Sequence, residues 1–272
     1  MTKKVPYSGI EFGYQNIVNE IQYMRAITKD FLSPECDGVL QQCQSDLESI
    51  RSSSAERIQY WGIKDYLPLK TVDSNGEYRN TSKGTGRSVF ATLSFRWGIR
   101  NPSSRNSRTF CLVDEATTSI QVFDSKSQEL VALWQTEIGD ATSPGCHFHS
   151  SMTERNYKSI ANFDNTSESS GNAFENQSAI LFPEWLKVPR MPSVLVTPMD
   201  GLELLLGELF QVRWSQSISQ DSHNLSSWAK CQGDRLKRLL KWKLDEVGKA
   251  DTTPWMALKR AKPDRDIFLG NQ

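Results

Sequence analysis

The stretch SPGCHFHSSM, residues 143–152, holds two of the chain's three histidines. In a β-strand, alternate side chains point to opposite faces. His147, His149 and Ser151 then share one face, and Cys146, Phe148 and Ser150 share the other. Alternation breaks up the apparent Cys-His-His cluster and leaves the two imidazoles together. The preceding strand arrives through GDATSPG, and a hairpin centred on that loop sets Glu137 opposite His147 and Gln135 opposite His149. Thr117, Thr118 and Glu115 follow further round the meander. Two imidazoles and a carboxylate are the ligand types that Zn²⁺, Fe²⁺ or Mn²⁺ accept. They are also the parts of an acid–base pair, because imidazole titrates near neutral pH. The plainer reading is the solvent face of an antiparallel sheet, where His and Glu pair in water. The chain has no HExxH and no CxxC, and only His149-Ser150-Ser151 fits the HxS half of a two-histidine phosphoesterase pattern. Cys146 and His147 make a poor nucleophile pair, since neighbours on a strand diverge. His223, in QDSHNLSS, is the third imidazole, and nothing in the sequence brings it near the other two.

A second constellation lies in VDEATTSIQVFDSK. Asp114, Asp124 and Lys126 echo a nuclease pattern in which two carboxylates bind Mg²⁺ and a lysine serves the attacking water or the scissile phosphate. DSKSQ is equally a hairpin turn between two strands. A third feature is RLKRLLKWK, residues 235–243, with Arg235, Lys237, Arg238, Lys241 and Lys243 around Trp242. Arg235, Arg238 and Lys241 could meet phosphates along one helix edge while Trp242 stacks on a base. The same run is also what the solvated face of an amphipathic helix looks like. Arg96 and Arg100 beside Trp97 add slightly to a nucleic-acid reading. KGTGRS lacks the GxxxxGK[ST] spacing of a phosphate loop.

The elements that must position these residues come from periodicity. Residues 14–32 carry Ile17, Val18, Ile21 and Met24 on a helical period that Ser33-Pro34 ends. Residues 35–51 predict a second helix. There Cys36, Leu40, Cys43, Leu47 and Ile50 fall on one stripe, and the cysteines read as core fillers. SAERIQYWGI predicts a further turn or two of helix. From residue 88 the period changes to two: Val89, Ala91, Leu93, Phe95, Trp97 and Ile99 share a face. Strands at 108–115, 118–125, 129–138 and 146–152 complete an antiparallel meander of four or five strands over 88–152. Residues 153–178 read as a long polar loop, and the proline-broken run after it as an extended edge segment. Thr197-Pro198-Met199-Asp200 is a capping signal. It starts a helix in which Leu202, Leu205, Leu206, Leu209 and Val212 face a core. A last helix over 226–248 carries Leu236, Leu240, Leu244 and Val247 as its apolar stripe.

These elements predict an α+β fold: a central antiparallel meander packed by N-terminal helices (about 10–62) and C-terminal helices (197–248) in a single domain over 1–272. The length suits a proper core. Lys+Arg and Asp+Glu balance at 32 each, so the total charge does not favour nucleic acid or acidic membranes. Five scattered cysteines form no disulfide framework. No signal-like apolar segment follows the first lysines, and no run is long enough to span a bilayer, so a cytoplasmic protein is expected. The function expected is a binding or regulatory subunit that contacts a protein and, through the basic helix, nucleic acid. The alternative is a metal-dependent hydrolase of the nuclease type, with a divalent metal as its cofactor. It would use His147, His149 and Glu137, or Asp114, Asp124 and Lys126.

Overall fold

Alternation in the middle of the chain builds one curled antiparallel sheet, and helices from both ends cover one of its faces. The computed structural model describes residues 11–53, 58–63, 67–78, 86–101, 108–138, 146–152, 191–192, 197–220 and 222–249. The chain runs β1 (Glu11–Gly13), α1 (Tyr14–Thr28), α2 (Cys36–Arg51), β2 (Gln59–Gly62), β3 (Leu69–Lys70), β4 (Val89–Arg100) and β5 (Thr109–Asp124). It continues through β6 (Leu130–Ile138), β7 (Cys146–Met152), β8 (Met191–Pro192), α3 (Pro198–Leu209), α4 (Gln211–Gln220) and α5 (Ser222–Lys249). The strand order is β2-β4-β5-β6-β7-β8, with β1 added to β5 and β3 to β4. The α+β architecture with an antiparallel sheet is thus as the sequence predicts. The polar loop 153–178 lies outside the described residues.

Val89, Ala91, Leu93, Phe95, Trp97 and Ile99 are all buried on β4, as the period of two requires. The two strands expected at 108–115 and 118–125 are one, β5. Its register against β4 slips where Trp97 pairs with Ala116 and Ile99 with Leu112. Residues 113–115 therefore bulge opposite Gly98 alone. Before the bulge β5 lies between β4 and β1, and after it between β4 and β6.

In SAERIQYWGI the described residues are not helix: Gln59–Gly62 form β2, and residues 54–57 lie outside the described set. Trp61 decides this. Its ring is buried edge-on against Phe95 and Trp97, and its Nε1 donates to the Cys43 carbonyl at 2.9 Å. Tertiary packing of one indole outweighs the weak local helix preference.

The expected stripe of α2 is buried in full, from Cys36 to Ile50. Burial pushes the Cys43 thiol up to about 12, which suits an inert core residue. Cys36 Sγ accepts from Lys70 N at 3.1 Å and ties α2 to β3. α3 opens on the predicted capping box: Thr197 Oγ1 accepts from Asp200 N, and Asp200 Oδ2 accepts from Thr197 N. Leu202, Leu205, Leu206 and Leu209 are buried, but Val212 is exposed. The helix stops at Leu209, and α4 restarts at Gln211 under a new cap. There Glu77 Oε2 accepts from the backbone of Val212 and Arg213 at 3.1 and 3.2 Å. α3 lies directly on the sheet, with Gly201 against Thr118, Leu93 and Ile120. α1 packs on α2, α3 and α5, so α5 forms an outer layer.

Candidate functional site

The face of the sheet turned away from α3 carries the residues that sequence spacing singled out. The hairpin register is the expected one, with Glu137 opposite His147 and Gln135 opposite His149. The pairing extends across the sheet in two rows. One row runs Arg96, Thr117, Glu137, His147; the other runs Ser94, Ser119, Gln135, His149. Neighbouring strands lie about 4.8 Å apart, so each row places a polar residue at every step across four strands. Thr117, Ser119, Gln135 and Glu137 are half-buried and Arg96 is exposed. Thr118 does not belong to this face: it is buried on the opposite one, against α3. Glu115 sits in the β5 bulge. His223 stands exposed in the first turn of α5, a helix that packs on α1 and α4 and bonds α3 further along. The side chains of His147, His149 and Glu115 lie outside the described set. Among the described residues no group of three His, Cys, Asp or Glu could hold a metal ion.

The carboxylate–carboxylate–lysine constellation does not assemble. Asp114 and Asp124 stand ten residues apart on the single strand β5, roughly 30 Å at the rise of an extended chain. Asp124 is a turn residue. Its Oδ1 accepts from Lys126 N and Ser127 N at 2.9 Å each, and its Oδ2 pairs with Arg87 Nε at 2.7 Å. These backbone donors and the guanidinium hold its carboxyl down at about 2. Lys126 lies exposed in the same turn.

The basic run on α5 is divided by the fold. Arg235 does not stand on a solvated edge: it is 5% exposed and bonds both the Glu20 carboxylate from α1 and the Asp200 carboxylate from α3. Its guanidinium also lies 5.2 Å from the centre of the buried Trp228 ring. Gln232 donates to Asp200 and to Glu203. α5 therefore turns Trp228, Gln232 and Arg235 inward, and Leu236 and Leu240, the first two residues of its expected core stripe, outward. Leu236 and Leu240 are 39% and 48% exposed, and Lys237 beside them is exposed. Arg238, Lys241 and Trp242 lie further along α5, and their side chains fall outside the described set.

Sequence reading missed two ring–cation pairs on the open face. The Arg96 guanidinium lies 4.2 Å from the centre of the Tyr60 ring. Lys70 Nζ lies 4.7 Å from the centre of the Phe90 ring, which stacks on Phe123 at 5.3 Å. The signal was the alternation of Tyr60 with Trp61, hidden once the segment was read as helix. No family model, curated protein or solved structure matches the chain.

Proposed function

We propose that this protein is a binding subunit that docks a helical protein partner on the outer face of α5. The exposure of Leu236 and Leu240 carries this reading. Two leucines one turn apart form an apolar strip beside a residue, Arg235, that the helix holds inward. Lys230 and Lys237 lie exposed on the same helix, so the fitting partner is an amphipathic helix flanked by carboxylates. Nucleic acid fits this face less well, because Arg235 is withdrawn into the ion cluster. A photo-crosslinking residue placed at 236 or 240 should trap one discrete partner in the producing cells. Leu236→Glu/Leu240→Glu should abolish the adduct, and the purified partner should bind the wild-type chain but not this variant. Adducts spread over many proteins, or insensitive to the double substitution, would sink the reading.

A second reading, a metal-dependent hydrolase on β6 and β7, is supported by one observation: the register that faces Glu137 with His147. Glu137, His147 and His149 would hold the metal, which would polarise a substrate or a bound water. Elemental analysis of natively purified protein should find a stoichiometric transition metal that His147→Ala/His149→Ala removes. Its absence, or an unchanged metal content in the variant, would end this reading.

A further inference from the structure

We propose that the open face of β2, β3, β4 and the Ala116–Phe123 stretch of β5 binds single-stranded nucleic acid. The register puts all the residues concerned on one side: Tyr60 opposite Gly98, Gly62 opposite Arg96, Lys70 opposite Thr92, and Phe90 opposite Phe123. Tyr60 is 50% exposed, Arg96 and Lys70 are exposed, and Phe90 and Phe123 are half-buried. Each end of the platform thus pairs an aromatic ring with a cation. Between the ends Thr92, Ser94, Ser119 and Gln121 present neutral hydrogen-bonding groups, all half-buried. These strand segments contain no carboxylate, although the chain as a whole is neutral. Glu137 of β6, which follows Thr117 in the row of Arg96, borders this patch with a carboxylate.

Each feature answers a different part of a single strand. Rings and guanidinium planes stack on unpaired bases, cations meet phosphates, and hydroxyls and amides reach base edges or sugar. Phe90 and Arg96 are six residues apart on β4, about 20 Å, which leaves room for several bases laid along the strand. A duplex does not fit. Its bases are stacked away from the rings, and its major groove admits a helix or a two-stranded ribbon, not the broad face of a sheet.

The test is fluorescence anisotropy of the full chain with labelled 15-mers of oligo(U) and oligo(dT), and with a duplex of the same length. The single strands should bind at low salt and weaken as salt rises. Tyr60→Ala should weaken them about fivefold or more, the loss expected for one stacked base. Lys70→Glu/Arg96→Glu should lower the salt slope by about 1.4, as two lost phosphate contacts require. All three side chains lie at the surface, and circular dichroism checks that the variants keep the fold. Arg96→Gln should fall between wild type and the double variant. No binding at low salt would overturn the proposal. So would a duplex that binds as tightly, or binding that Lys237→Glu abolishes while the sheet variants bind like the wild type.

Discussion

Arg235 is held between two carboxylates that the chain supplies from 215 and 35 residues away. The cluster is buried, so its charges carry a desolvation penalty that only close pairing offsets. Burial wins at Glu20: it pushes the carboxyl from its ordinary 4.5 up to about 7, against the pull of Arg235. The sign of the pH dependence follows. Below pH 4.5 Glu20 is protonated in the folded and the unfolded chain alike, and its contribution to stability is full. Between 4.5 and 7 the unfolded chain releases the proton while the fold retains it, so stability falls as pH rises through 7. Glu20→Gln keeps an oxygen for Arg235 and cannot ionise. It should flatten the melting temperature between pH 5 and 8 and match or exceed wild type at pH 8. A wild-type curve that rises over this window more steeply than the variant would refute the assignment. Arg235→Leu leaves two carboxylates buried without their cation and should cost about 3–5 kcal/mol in urea denaturation at pH 8. None of this was legible in the sequence. Five cations in nine residues look like a solvated edge, and the partners of Arg235 become its neighbours only once α1, α3 and α5 pack.

At the scale of elements, whatever repeats over several turns or strands was readable, and whatever rests on one contact was not. The α2 stripe and the β4 alternation extend over five and six buried positions, so their period is unmistakable. β2 offers only Trp61, with Ile63 buried just beyond it. That is too short a pattern to outweigh the helical run before it. Its place is fixed instead by close backbone approach to β4. Gly62 lies opposite Arg96, and a Cβ there would run into the Phe95 carbonyl oxygen. Backbone does not yield as a side chain does, so Gly62→Ala should cost about 1–3 kcal/mol. Gly38, on the exposed side of α2, has nothing within 4 Å of an added Cβ. Gly38→Ala should stabilise by up to about 1 kcal/mol through helix propensity alone. Chemical denaturation of the two variants separates these cases, and equal effects would contradict the close approach of β2 to β4. Asp124 is ambiguous in the sequence for a related reason. An aspartate that closes a hairpin and one that binds a metal look alike until the length of β5 sets Asp114 at its other end.

The whole molecule places its two proposed binding faces on opposite sides. The open face of the sheet looks away from α3, α3 and α1 form the next layer, and α5 lies outside α1. Packed sheets and helices are spaced about 10 Å apart, so roughly 20 Å of core separates the Tyr60–Arg96 end of the sheet from the Leu236–Leu240 strip. Hydrophobic patterning predicted this layering in outline, because it assigns an inward face to the sheet and helices at both ends to cover it. It put Leu236 and Leu240 on the inward side of α5, where the fold instead places Trp228 and the ion pairs of Arg235. Surfaces so far apart, with no shared side chain, should bind independently. Leu236→Glu/Leu240→Glu should leave the affinity for oligo(U) within about twofold of wild type, a change within the additivity expected of distant sites. Conversely, Lys70→Glu/Arg96→Glu should leave the crosslink at position 240 intact. Protein partner and oligonucleotide should then co-elute with the chain in one complex on size exclusion. Competition between them would mean that the two faces are one site, or that binding at one rearranges the other through the Glu20–Arg235–Asp200 cluster. Repeating the competition in Glu20→Gln would tell these apart, since only coupling through the cluster should change when its ionisable carboxyl is removed.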